Sequence, residues 1–213
     1  MSTEIDHTTP SPGGTSGQRA GAEALLGRPL LRLLARGEPV TVVQLATATG
    51  RSTDQVRRAL AAAPDTEYDD AGRIVGAGIT LNPTPHRFEV DGKQLSTWCA
   101  LDTLVFPAIL GKPATVSSPC HATGELVRVQ VAPDGVTSVD PATAVVSLVT
   151  PDDCCSVRAS FCNQIHFFSS REVALPWLAE HPGASVVPVA AAYQLGRPII
   201  DTLLGTQDPA DCC

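Results

Sequence analysis

Cys99 and Asp102 stand three positions apart in Thr97-Trp98-Cys99-Ala100-Leu101-Asp102-Thr103-Leu104, and Cys162 follows in Ser160-Phe161-Cys162-Asn163-Gln164-Ile165-His166-Phe167-Phe168. On a helix that spacing puts a thiol and a carboxylate on one face, within reach of one bound group. Soft thiolates select soft metals, and a large soft cation of low coordination number needs only two sulfurs. Near a helix N-terminus the dipole favours the Cys99 thiolate, while the charge of Asp102 opposes it. A carboxylate placed so can take the thiol proton when metal arrives and hold it for delivery to another atom.

Two other chemistries compete for these residues. Structural zinc wants paired ligands such as Cys-x2-Cys, which the chain lacks, and the adjacent pairs Cys154-Cys155 and Cys212-Cys213 are poor chelates for a tetrahedral ion. A Cys-His protease or transferase would draw on His121 or His166 as base, but no oxyanion-hole loop accompanies them. Burial of small side chains is the third account, since free cysteine is among the most buried residue types.

The elements that position these groups follow from pattern and punctuation. At 213 residues, 43% of them hydrophobic, the chain has material for a substantial core in one or two domains. A disordered tail is expected over 1–21, rich in Ser, Thr, Gly and Pro. Leucines from Leu25 to Leu34 form a helical pattern, stopped at Arg36-Gly37-Glu38-Pro39. Two short helices around Gly50, with Ser52 as cap of the second, have helix-turn-helix spacing. Residues 66–75 then read as the hairpin of a small wing. A winged-helix-like three-helix module is expected over 22–80, with Arg51, Arg57 and Arg58 as the cations available to DNA. The acidic wing and a formal charge of -7 oppose that use.

Leu81-Asn82-Pro83-Thr84-Pro85-His86 reads as a stiff connector, and residues 81–204 as a second, strand-rich domain with flanking helices. Ser96 is the expected N-cap of the Cys99 helix, and Pro107 its expected end or kink. Strands are expected at 114–118, 125–131, 143–149, 165–168 and 186–189, helices at 171–180 and about 190–204, and a flexible tail over 205–213. The fold class is α+β. Seven unevenly clustered cysteines suit a reducing cytosol better than a secreted disulfide framework. Neither a signal peptide nor a membrane span is expected.

The two motifs, with Phe106-Pro107-Ala108 after the first, resemble the organomercurial lyase (alkylmercury lyase) family, and the similarity runs from about Leu25 to Leu204. The resemblance implies an N-terminal winged-helix-like module that is not a DNA reader, fused to a catalytic α+β domain that cleaves carbon–mercury bonds to a hydrocarbon and Hg(II). It implies Cys99 and Cys162 as the catalytic, mercury-binding thiols, Asp102 as the catalytic aspartate and Cys120 as structural. Trp98 and Phe106 are candidate walls of an organic-group pocket. No organic cofactor is implied, only external thiols, and mercuric reductase is a candidate recipient of the Hg(II). Some relatives carry a second cysteine directly after the one matching Cys162; this chain has Asn163. Cys212 and Cys213 are possible auxiliary mercury ligands, Cys154 and Cys155 weaker ones. The alternative is a mercury- or metal-responsive winged-helix transcription regulator, and a mercury-sequestering protein without turnover is the third possibility.

Overall fold

A computed structural model describes residues 26–150 and 156–205. The tail expected over 1–21, Cys154-Cys155 and Cys212-Cys213 lie outside the described residues.

Helix α1 occupies 26–34, and the chain turns through Gly37 at φ 79°, where a side chain would be strained. Helices α2 (Val42–Thr49) and α3 (Thr53–Ala61) each begin with a reciprocal capping box, Thr41 with Gln44 and Ser52 with Gln55. Gly50 joins them at φ 65°. The wing follows as β1 (Glu67–Tyr68) and β2 (Ile74–Ala77), paired antiparallel, with Val40 bridging to Ile74.

Strands β3 (Ile79–Thr80), β4 (His86–Val90), β5 (Lys93–Thr97), β6 (Ala114–Pro119), β7 (Leu126–Ala132) and β8 (Gly135–Asp140) join the wing in one eight-stranded sheet, ordered β1-β2-β3-β5-β4-β6-β7-β8. The proline-rich stretch 81–85 is therefore a turn between strands of a continuous sheet, with β3 paired to β5 across it. One hydrophobic core runs from Leu34, Leu45 and Val56 of the three-helix module to Phe88, Val129 and Phe167 beyond it. In β7 the alternation seen in sequence is borne out, with Val127, Val129 and Val131 buried and their neighbours Arg128 and Gln130 exposed. β8, absent from the sequence expectation, pairs with β7 through a tight turn at Gly135.

Helix α4 (Ala100–Leu110) is apolar nearly all round and packs on α7 (Val189–Leu195), α8 (Arg197–Leu204) and the sheet. A second sheet, β10 (Phe167–Phe168), β9 (Val145–Leu148) and β11 (Ser185–Pro188), carries α6 (Arg171–Glu180). β9 is its central strand, as its more continuously apolar run predicts. The single last helix expected from 190 is two, broken at Gly196. A Cβ there would meet Val105 Cγ1 at 2.5 Å, so the break lets α7 and α8 press onto α4.

Candidate active site

At α4 the structure corrects one sequence expectation and narrows another. Ser96 is not the cap: it lies inside β5, where ladder pairing with β4 and β3 runs through Thr97. The cap is Cys99 itself, with extended backbone at φ -146° and ψ 170°, its Sγ accepting from the Asp102 amide at 3.4 Å. Pro107 does not end the helix, which continues to a left-handed cap at Gly111. At the other end the Ala100 amide donates to Ile165 O at 3.1 Å, so the turn that bears Cys162 also satisfies an orphan donor of α4.

That turn is held from behind. A 3-10 turn, Cys162–Gln164, follows the short helix α5 (Val157–Ser160). Ser147 of β9 donates its hydroxyl to Gln164 O at 2.7 Å and accepts from the His166 amide at 2.8 Å. Strand β9 thereby fixes Cys162 against the N-terminus of α4. The ligand atoms of Cys99, Asp102 and Cys162 all lie within 4.8 Å of one another, and no other such group of potential metal ligands occurs among the described residues. The i, i+3 spacing read from sequence delivers this even though Cys99 sits at the cap rather than in the first turn.

Burial governs the electrostatics here. Cys99 is fully buried, and desolvation pushes its thiol well above the ordinary value, reinforced by hydrogen bonding to Cys162 and the charge of Asp102. Desolvation likewise pushes the Asp102 carboxyl up to about 7, against the pull of the Cys99 thiol and the Cys99 and Trp98 amides. Asp102 Oδ2 is buried and has no hydrogen-bond partner. Such an orphaned oxygen is costly as a carboxylate and available as a proton carrier.

Asp102 and Cys162 open on a cavity of about 580 Å³ with a mainly apolar wall. Trp98, Leu101, Phe106 and Phe161 line it, as sequence expected for Trp98 and Phe106. Sequence reasoning missed much of the remaining wall: Leu26, Leu30 and Leu31 of α1, Ala63 to Thr66 after α3, and Ile199, Thr202 and Leu203 of α8. The positions on α1 and α8 are ordinary amphipathic helix positions and Ala63 to Thr66 an ordinary loop, so nothing in their pattern marks them as pocket. The three-helix module thus supplies part of the cavity wall.

Other candidates lie apart from it. Cys120 is buried in the turn after β6, its Sγ favoured as thiolate by donors from Thr123, Ser169 and Ala122 despite burial, and it is not part of the three-residue cluster. His121 and His166 stack on each other with ring centroids 3.8 Å apart, outside the cavity wall. Arg51, Arg57 and Arg58 are exposed, with Arg57 paired to Asp54.

Two clustered thiols and a desolvated carboxyl at the head of an apolar cavity define an α+β protein equipped to take a soft metal carrying an apolar group and to supply a proton beside it. The comparisons with known proteins agree. The alkylmercury lyase family model matches residues 79–201, and the helix-turn-helix domain of alkylmercury lyase matches 13–78. The chain belongs to the alkylmercury lyase family. It is 64% identical over 197 residues to the alkylmercury lyase of Streptomyces lividans, covering 92% of each chain. It is 49% identical over 217 residues to that of Bacillus cereus, covering 100% of this chain and 99% of the other. Among solved structures, the mercury-bound form of MerB2 superposes with a TM-score of 0.72 at 27% identity, covering 89% of this chain and 100% of that one. The helix-turn-helix match is to the domain as it occurs in these lyases, which does not favour the regulator alternative.

Proposed function

We propose that the protein cleaves the carbon–mercury bond of alkyl- and arylmercurials by protonolysis, giving a hydrocarbon and Hg(II). The observation that carries this reading is the convergence of Cys99, Asp102 and Cys162 within 4.8 Å at the cavity. The apolar wall takes the organic group, and mercury faces the thiols. As each sulfur bonds to mercury its proton leaves, one to Asp102 and the other to solvent with the displaced anion. Two thiolates raise electron density on the carbon, the carbon–mercury bond breaks, and the pair of electrons takes the proton held by Asp102. The hydrocarbon departs and Hg(II) stays on both sulfurs, until two external thiols exchange onto it and return protons to Cys99 and Cys162.

In this reading the enzyme uses no organic cofactor, works among the reducing thiols of the cytoplasm, and passes its product to small thiols or to mercuric reductase. Among the described residues, no helix is long and apolar enough to cross a membrane. The test is incubation with a phenylmercury salt and excess thiol, with benzene measured. Release is expected from the unaltered protein and a loss of more than about a hundredfold from Cys99→Ser or Cys162→Ser, because a hydroxyl is a hard ligand. Undiminished turnover in either variant overturns the proposal.

A further inference from the structure

Glu67, in the wing strand β1, lies outside the cavity wall, yet its carboxylate reaches the segments that lead into both thiols. Glu67 Oε1 accepts from Trp98 Nε1 at 3.1 Å and pairs with Arg158. Glu67 Oε2 accepts from the Thr80 hydroxyl and from Asn82 Nδ2 at 3.0 Å. The Arg158 guanidinium lies over the Trp98 ring, 5.0 Å from its centroid, closing a triangle. Trp98 immediately precedes Cys99, and Arg158 sits on α5, four residues before Cys162.

The fold makes room for this arrangement. Gly76 is the strand partner of Glu67, and a Cβ on it would meet Glu67 Oε2 at 2.2 Å, so the carboxylate folds back over the sheet only because glycine stands there. A second acid supports the same segment. Asp65 accepts from the Ser156 hydroxyl and from the Arg158 amide at 3.3 Å, fastening the start of α5.

We infer that Glu67 is a positioning residue: its carboxylate ties the segment bearing Cys162 to the one bearing Trp98 and Cys99, and so sets the separation of the two thiols that share one mercury. This inference rests on the proposed lyase reading. It gives the wing a task in the reaction, with Glu67 acting only through Trp98 and Arg158.

The test counts active sites by Hg(II) titration and reads single-turnover benzene release from a phenylmercury salt. In Glu67→Ala, kcat per active site falls on the order of tenfold while KM stays within about twofold, the range for groups that orient ligating side chains. Glu67→Gln, which keeps an acceptor for Trp98 but no charge for Arg158, falls between Glu67→Ala and the unaltered protein and stands in should Glu67→Ala not fold. Arg158→Ala falls no further than Glu67→Ala, and the double variant is no slower than Glu67→Ala, because Glu67 is where the contacts to Trp98 and Arg158 meet. Unaltered kcat per active site in Glu67→Ala and Glu67→Gln, or losses that multiply in the double variant, would overturn the inference. If the unaltered protein releases no benzene, the lyase reading fails instead. Hg(II) affinity then still tests Glu67: a fall of about tenfold in Glu67→Ala supports the positioning role, and equal affinity refutes it.

Discussion

At neutral pH the Asp102 carboxyl divides between its two protonation states, since burial pushes it up to about 7 from 3.8. A raised carboxyl in the folded chain means that the native state binds more protons than the unfolded one. Its favourable contribution is present below about pH 4 and is lost as pH rises through about 7. Asp102→Asn removes that loss. The variant should therefore gain stability over the unaltered apoprotein as pH climbs from 4 to 8, by about 2–4 kcal/mol at the upper end. Chemical denaturation at several pH values checks this, and a constant difference would show that Asp102 does not titrate in that window. His86 and His166, each lowered by burial to about 4, act with the opposite sign: neutral when folded, they stabilise above pH 6.5 and lose that contribution as pH falls through 4. Taking the difference between variant and parent cancels them. In the reaction, Asp102→Asn should still bind mercury but release hydrocarbon 10²–10⁴-fold more slowly, roughly the worth of a placed proton donor; turnover at the parent rate would dismiss the relay. Exposure also orders the thiols. Cys162 lines the cavity and Cys99 is wholly enclosed with a raised thiol, so a small alkylating reagent should modify Cys162 first, as peptide mass spectrometry would register.

Among the elements, α4 separates what sequence discloses from what it does not. The spacing of Cys99 and Asp102 is local, and any helix start in that neighbourhood brings them together. Which residue caps the helix is not local. Ser96 has the better capping chemistry, but ladder bonds to β4 and β3 hold it in β5 and leave the task to Cys99. Cys162 is legible as a second candidate thiol, but its place beside the pair is not, and only the family resemblance implies it. Its approach to α4 depends on Ser147 and Ile165, whose partners are distant in sequence. Glu67 and Arg158 were invisible for the same reason: an isolated charge has no periodicity. The helix-turn-helix elements, in contrast, carry their own capping boxes, and the turn at Gly50 and the cap at Ser52 are legible in sequence. Their DNA-reading option has a direct test. With the wing turned to the pocket and Arg57 paired to Asp54, a gel-shift on promoter DNA at physiological salt should show no complex, and a specific complex would revive the regulator. Cys212 and Cys213 follow α8, whose Thr202 and Leu203 form part of the cavity wall. We propose that they receive Hg(II) from the site. Truncation after Asp211 should then slow mercury release when external thiol is limiting, and an unchanged rate would dismiss them.

For the molecule as a whole, the continuous sheet and shared core join what the family models divide at 78 and 79. Urea unfolding followed by far-UV circular dichroism and by Trp98 and Trp177 fluorescence should give one coincident transition. A separate early loss of helix would mean that the module melts by itself. The cavity has a related consequence. All three reactive groups lie after residue 78, so a fragment of the second segment would keep every atom of the chemistry. It would lose Leu26, Leu30, Leu31 and Ala63 to Thr66, and a cavity walled on that side by the first segment would open further to water. Exchange of the first segment between relatives should accordingly reshape which organic groups fit without touching a reactive atom. The module has the shape of a groove reader, yet the side chains it brings to the site line a cavity instead.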